Sequence, residues 1–194
     1  MTGTPDSTAP TALITGAAAR IGKAIALELA RTGWAVAVHY HGSEDEARAV
    51  VGEIKAAGGR ATALRADLAD EAATATLVAE AAEALGPVGC LVNNASVFEN
   101  DRIETLTREN WDLHLAVNLR APAVLTQAMA GALPEGATGS IVNIVDQRVL
   151  NLTPYFQSYT ISKAGLWTLT QTAALALAPH IRVNAVGPGP VLPS

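Results

Sequence analysis

Tyr159 and Lys163 are the residues of this chain whose types and spacing point most directly to chemistry. They stand four apart in a stretch with helical periodicity, so both side chains share one face. A free tyrosine titrates near ~10, too high for easy proton traffic at neutral pH. A nearby ammonium favours the phenolate and lowers that value, which would make the pair an acid/base unit. The spacing is not distinctive by itself, because Tyr-x-x-x-Lys recurs by chance on exposed helices. Asp146 closes an apolar run thirteen residues before Tyr159 and should reach the same rim, either as a reacting carboxyl or as a turn or cap carboxylate. Asn118 is a poor helix former set among apolar neighbours, suited to a buried polar bridge or to anchoring a water relay.

A second set of residues suits phosphate rather than protons. Thr15-Gly16-Ala17-Ala18-Ala19-Arg20-Ile21-Gly22 follows a short apolar run and opens a helical one. Small residues there let the backbone approach a pyrophosphate, whose charge the amides at the helix start would meet. A tight strand-to-helix turn is the plainer alternative. The next apolar run ends in His39-Tyr40-His41-Gly42-Ser43, with no carboxylate before Glu44 to hold a ribose 2′-hydroxyl. Arg20 in the turn would instead suit a 2′-phosphate, so the expected cofactor is NADPH rather than NADH. Asp67 would cap the following helix or accept from an adenine amine. Asn93-Asn94-Ala95-Ser96 offers compact amides of the kind a loop against a cofactor needs, or a polar turn.

Positioning these residues requires an alternating framework. Short apolar runs at Ala12–Thr15, Val36–Val38, Ala61–Ala66, Leu91–Val92, Ser140–Val145 and Ile181–Val186 read as strands. Between them lie helical stretches at Arg20–Arg31, Glu44–Ala57, about Asp70–Leu85, Thr107–Ala132 with a kink expected at Pro122 or its absorption by tilting, and about Pro154–Ala178. Strands apolar on both faces, each followed by a helix, predict an α/β fold. The expectation is a doubly wound, Rossmann-type parallel sheet of about six strands with helices on both faces. Ligands of such sheets sit beyond the carboxyl ends of the strands.

With 194 residues, 49% of them hydrophobic and 16% charged, the chain can bury one substantial core. A polar tail is expected over 1–10 and a single catalytic, dinucleotide-binding domain over 11–194. The net charge of −5 and the scattered Lys and Arg argue against a nucleic-acid partner. No apolar run is long enough for a membrane span, and the start lacks the pattern of a signal peptide. One cysteine, Cys90, excludes an internal disulfide framework, so a cytoplasmic setting is expected. Cys90, Trp34, Trp111 and Trp167 read as packing residues. His39, His41, His114 and His180 are too dispersed for a metal site, and no metal is expected.

Taken together, the chain resembles the short-chain dehydrogenase/reductase family along nearly its whole length. The resemblance rests on Thr15-Gly16-x-x-x-Arg20-x-Gly22, Asn93-Asn94-Ala95, Asn118, Tyr159-x-x-x-Lys163 and Pro188-Gly189, in that order and spacing. Two departures, Arg20 at the middle glycine of the phosphate motif and Asp146 at the usual catalytic serine, look like pteridine reductases. So do His39-Tyr40-His41, the Asn93–Phe98 loop and the Ile181–Gly189 segment. A third departure runs the other way, because pteridine reductases usually carry an arginine where this chain has Gly42.

The resemblance implies that Tyr159 relays a proton while Lys163 holds the nicotinamide ribose. It implies that Asp146 helps protonate a ring nitrogen, Phe98 stacks on a pterin, and Ser96 bonds cofactor or substrate. Asn118 would hold a water linked to Lys163. Arg20, His39, Tyr40, His41 and Ser43 would surround the adenosine, with Gly16, Ala18, Ile21, Asp67, Leu68, Asn94, Ala95, Pro188 and Gly189 completing the cofactor contacts. An ionised aspartate only accepts hydrogen bonds, whereas a carboxyl kept protonated by burial, or sharing a proton with Tyr159, can donate to an imine-like nitrogen. Asp146 thus predicts reduction of C=N in a pterin or folate-type substrate. The alternatives are a general carbonyl reductase and a non-catalytic NADP-binding protein. Family members also continue for several dozen residues past the Pro188-Gly189 turn, through a substrate-covering loop, a helix and a last strand. The expectation is a sheet ending at its sixth strand, with that edge open or covered by another chain. Ala-rich helix faces around Ala116–Ala130 and Ala164–Ala178 permit close helix contacts, and because relatives with this fold pair through those helices the resemblance implies a homo-oligomer, a dimer or tetramer.

Overall fold

The computed structural model describes residues 10–189; residues 1–9 of the expected tail and the closing residues 190–194 lie outside the described residues. Six strands alternate with helices: β1 (Thr11–Ile14), α1 (Arg20–Arg31), β2 (Ala35–Tyr40), α2 (Glu44–Ala56), β3 (Ala61–Arg65), α3 (Glu71–Leu85) and β4 (Val88–Asn93). There follow α4 (Arg108–Leu115), a π segment (Ala116–Arg120), α5 (Ala121–Ala132), β5 (Gly139–Ile144), a 3-10 turn (Gln147–Val149), α6 (Gln157–Leu177) and β6 (Ile181–Val186). The strands form one parallel sheet in the order β3-β2-β1-β4-β5-β6. Their order reverses between β1 and β4, the switch point where a crevice opens above the carboxyl ends.

β1 and β2 are buried at every position, which is why they read as unbroken apolar runs rather than alternating ones. One sheet face packs Leu13, Leu91 and Ile141 against Leu77, Leu125 and Met129 of the α3 and α5 side. The other packs Ile14, Val36 and Val38 against Ala26, Val50 and Ile54 of α1 and α2. β6 alternates between buried and exposed, with Ile181 and Val183 buried and Arg182 and Asn184 exposed. It forms one edge of the sheet.

The long helix expected over Thr107–Ala132 is not a single α-helix. It widens into the π segment immediately before Pro122, which sits in the first turn of α5. Pro122 has no N–H for the carbonyl of Asn118, and its ring would crowd that carbonyl in an α turn. A wider turn relieves both problems, so the expected kink becomes a π bulge carrying Asn118. The last helix begins at Gln157 rather than near Pro154, because Phe156 takes a left-handed conformation with φ 58° and breaks the helical path. No helix among the described residues is long and apolar enough to cross a membrane.

Candidate active site

A cleft of about 920 Å³ runs above the switch point from Arg20 and His41 at one end to Asp146, Tyr159 and Lys163 at the other. Gly16, Ile21, His39, Asp67, Leu68, Asn94, Ala95, Ser96, Phe98, Pro188 and Gly189 also line it. Four residues expected at the site do not. Ala18 is buried beside it, and Ser43, just before α2, is exposed and caps nothing with its side chain. Tyr40 lines a separate cavity with Arg48, Val51 and Lys55. Asn118 lies wholly beneath the surface.

The first end is built by mutual contact of backbones. Gly16 turns at φ 62°, a conformation that favours glycine. The Asn94 side-chain amide donates to the carbonyls of Thr15 (2.8 Å) and Gly16 (3.1 Å). The Thr15 hydroxyl accepts from the backbone of Asn94 (2.9 Å) and Ala95 (3.0 Å), so the two loops lock together. A Cβ on Gly22 would stand 2.2 Å from the Gly16 carbonyl oxygen and 2.6 Å from the Asn94 amide nitrogen. No side chain fits there. Arg20, at the glycine position of the usual motif, is held at φ 50°, a left-handed conformation that costs a non-glycine residue about 1 kcal/mol or more.

His39 belongs to this scaffold as much as to the cleft wall. The Gly16 N–H donates to its Nδ1 (3.1 Å), which leaves Nε2 protonated and facing the carbonyl of Ala66 (3.2 Å). Burial pushes its pKa down to about 4, against the support of the Ala66 carbonyl. His41 is exposed, 3.8 Å from Asp67. Asp67 does not cap α3. That cap is Asp70, which accepts from Ala72 and Ala73, while Asp67 closes a turn onto the Ala69 N–H (2.9 Å).

At the other end the Tyr159 hydroxyl donates to Oδ2 of Asp146 (2.8 Å), and the backbone N–H of Arg148 donates to Oδ1 (2.8 Å). Asp146 therefore accepts at both oxygens with its side chain 19% exposed. Of the two routes to a proton open to this aspartate, sharing with Tyr159 is the one the geometry provides. Lys163 is buried and donates from Nζ to the carbonyl of Ile144 (2.8 Å). Burial lowers its pKa to about 8, with the charge of Asp146 pulling the other way.

The expected lowering of the Tyr159 pKa is not what this arrangement produces. Burial, then the hydrogen bond and charge of Asp146, raise it, and Arg148 offsets them only in part. The cause is geometric, since the Lys163 ammonium turns to the Ile144 carbonyl while the phenol faces a carboxylate. Tyr159 is thus held neutral, as a proton donor.

Asn118 spends its side chain on structure. It accepts from the Val97 N–H (2.8 Å) and donates to the Val97 carbonyl (2.9 Å) and the Ser162 hydroxyl (3.0 Å). Ser162 in turn donates to the carbonyl of Tyr159 (2.7 Å). The side-chain role is therefore a buried bridge between the Val97 loop and the Tyr159 turn.

Sequence reasoning missed a polar cluster behind Tyr159. Asp101, His114 and Ser158 are all buried. The Asp101 carboxylate accepts from the backbone N–H of Ser158 (3.1 Å), from the Ser158 hydroxyl in a short contact, and from the Asn110 amide (2.9 Å). His114 accepts at Nε2 from Glu99 (3.1 Å), so its Nδ1 hydrogen faces the Asn110 carbonyl and the Ser158 hydroxyl, each at 2.8 Å. Phe156 offers no side-chain cap to α6; Asp101, more than fifty residues earlier, supplies the acceptor for the first turn instead. Neither Asp101 nor His114 lies in a recognisable motif. The faint signal available was a carboxylate in the loop after the Asn93–Ser96 segment.

A doubly wound sheet with this cleft defines a nucleotide-binding oxidoreductase fold. The short chain dehydrogenase family profile matches residues 10–194, and the chain belongs to that family. A 3-oxoacyl-[acyl-carrier-protein] reductase of Staphylococcus epidermidis is 37% identical, over 92% of this chain and 73% of the relative. Among solved structures, the FolM alternative dihydrofolate reductase 1 of Brucella suis, in complex with NADP, is 48% identical. It superposes with a TM-score of 0.92 over 96% of this chain and 77% of that one. A short chain dehydrogenase of Burkholderia cenocepacia, also with NADP, is 41% identical with a TM-score of 0.89, covering 93% and 74%.

Proposed function

We propose that this protein is an NADPH-dependent reductase acting on the C=N bond of a pterin or folate-type substrate. The cleft suits an extended dinucleotide, with the adenosine end between Arg20 and His41 and the nicotinamide end at Tyr159 and Lys163. NADP in the Brucella and Burkholderia relatives supports that cofactor. When bound, it supplies a hydride to the carbon of the C=N bond. The chain's own residues handle the proton. Neutral Tyr159, oriented by its bond to Asp146, gives its hydroxyl hydrogen to the nitrogen. The Lys163 ammonium opposes the charge of the phenolate left behind, and a proton from solvent restores the hydroxyl. Lys163 lies behind them as a buried cation.

The observation that carries the reading is the 2.8 Å bond from Tyr159 to Asp146. A serine at this position can donate to a ketone oxygen becoming an alkoxide; a carboxylate accepting at both oxygens cannot. The relation to dihydrofolate reductase FolM supports the same substrate class. A second reading, reduction of a C=O bond, draws support from the 3-oxoacyl reductase relative.

NADPH oxidation with dihydrobiopterin, dihydrofolate and a small diketone separates the two. Turnover of the pteridines, lost by about 100-fold or more in Tyr159→Phe and in Asp146→Asn, is the expected result. Efficient turnover of the diketone without the pteridines would replace the first reading by the second.

A further inference from the structure

One cation at the substrate end has no partner suited to it. Arg148 lies in the 3-10 turn two residues after Asp146. Its side chain is only 26% exposed, and its nearest anionic atom, Oδ2 of Asp146, is 3.7 Å from Nη1, too far for a hydrogen bond. The guanidinium donates to no acceptor among the described residues; only the backbone N–H does. Five fork-shaped donors are thus half-shielded and unused.

The neighbouring rings fix where those donors stand. Phe98 and Phe156 stack at 4.3 Å with only 6° between their planes. The guanidinium carbon lies 5.3 Å from the Phe98 centroid and 4.8 Å from that of Phe156. A point nearly equidistant from two parallel rings lies beside the stack, not on its outer face. Arg148 therefore leaves the second face of Phe98 uncovered, and that ring is 48% exposed. Phe98 also meets the Tyr159 ring nearly at right angles, 4.6 Å between centroids, and Phe98, Tyr159 and Arg148 line the same cleft.

We infer that Arg148 orients the substrate by binding the ring carbonyl of a planar heteroaromatic laid on Phe98. This rests on the pteridine-reductase reading for the reaction, though not for the binding. The chemistry matches in pairs. In a 7,8-dihydropteridine the 4-oxo oxygen stands beside the imine nitrogen that must gain a proton. On the protein, Arg148 Nη1 and the Tyr159 hydroxyl both approach Oδ2 of Asp146, at 3.7 and 2.8 Å, so the two donors are close neighbours. With the oxygen on the guanidinium, the nitrogen falls to the tyrosine. A small ketone has one acceptor and cannot use both donors, so Arg148 separates pteridines from simple carbonyls.

Isothermal titration of the NADP+ complex with dihydrobiopterin and with dihydrofolate tests this in the wild type, Arg148→Gln and Arg148→Lys. The expected result is about a tenfold or greater loss of affinity for both ligands in Arg148→Gln, with Arg148→Lys in between. Retained NADP+ binding shows that each variant is folded. Unchanged affinity in Arg148→Gln, or no pteridine binding by the wild type, overturns the inference. So does a loss confined to dihydrofolate, which would mean that Arg148 reads the glutamate carboxylates and not the ring. Turnover on the same preparations stands apart: Arg148-dependent binding without NADPH oxidation sinks the reductase reading and leaves this one intact.

Discussion

The phosphate-loop end of the cleft is made of backbone and methyl groups, while the Tyr159 end is made of side chains brought from distant parts of the chain. At the first, Gly16 packs closely against both Gly22 and Ala95, and Asn94 and Thr15 sew the two loops together over distances of about 3 Å. At the second, Asp101, Ser158, His114 and Asn110 share one buried set of hydrogen bonds. Phe98, Phe156 and Arg148 share one set of ring contacts beside it. Close approach admits only the smallest residues, so the first end has almost no latitude in composition. Hydrogen bonding between remote side chains can be met by many combinations, so the second end can differ between relatives on the same sheet.

The sharpest way to break this contrast is to add one methyl group at the first end. In Gly22→Ala the new carbon would overlap the Gly16 carbonyl oxygen, the Asn94 amide and the Ala17 Cα, two of them backbone. The two loops must separate, and NADPH affinity is expected to fall by about 100-fold or more, with a lower thermal midpoint. Fluorescence titration with NADPH checks it. Near wild-type affinity would mean that the loops are more compliant than the packing implies.

A smaller effect, of different kind, is expected at the second end. Asp101→Ala leaves the Ser158 N–H, the Ser158 hydroxyl and the Asn110 amide without their acceptor in a buried site. The cost is on the order of 3 kcal/mol, and Asp101→Asn, which keeps one carbonyl oxygen, should recover part of it. Because Ser158 immediately precedes Tyr159, kcat for the pteridine should drop by roughly tenfold while NADPH affinity holds. Denaturant unfolding and steady-state kinetics on both variants test the separation. Parallel loss of NADPH affinity would show that the two ends are not built independently.

The same contrast explains what the sequence disclosed. The apolar runs of β1 and β2 were legible because burial on both faces leaves no choice of polarity, and the sixth strand at Ile181–Val186 because its buried and exposed residues alternate. Gly16, Arg20, Asn94, Tyr159 and Lys163 were legible because their spacing is local and their order is shared with a family. Asp101 was not, since its partner Ser158 lies 57 residues away and no local pattern marks a helix capped from so far. Nor was the left-handed turn at Phe156, where propensity favours a helical or extended residue and tertiary contacts override it. The raised pKa of Tyr159 was hidden for a related reason. The Tyr-x-x-x-Lys spacing shows a nearby ammonium, but only the fold shows that Lys163 faces Ile144 and that a carboxylate faces the phenol.

The gentlest probe of the contrast is acid. His39 titrates at about 4 in the folded chain and near 6.5 when free, because burial opposes its charge. Between those values the unfolded chain binds more protons, so the free energy of unfolding rises with pH there. The stability from neutral His39 is fully present above about 6.5 and is lost as pH falls through about 4. Its full size is at most roughly 3 kcal/mol, of which part appears by pH ~5. A proton added to Nδ1 would also displace the Gly16 N–H and loosen the phosphate turn, while Tyr159 lines the other end of the cleft. NADPH affinity should therefore decline only as pH approaches about 4, whereas stability already declines below about 6.5. In His39→Gln, whose amide oxygen can accept the Gly16 N–H without titrating, the stability slope should flatten between pH ~7 and ~5 and the affinity loss near pH ~4 should disappear. Slopes as steep as those of the wild type would place the acid-sensitive group elsewhere and remove His39 from the scaffold of the cofactor end.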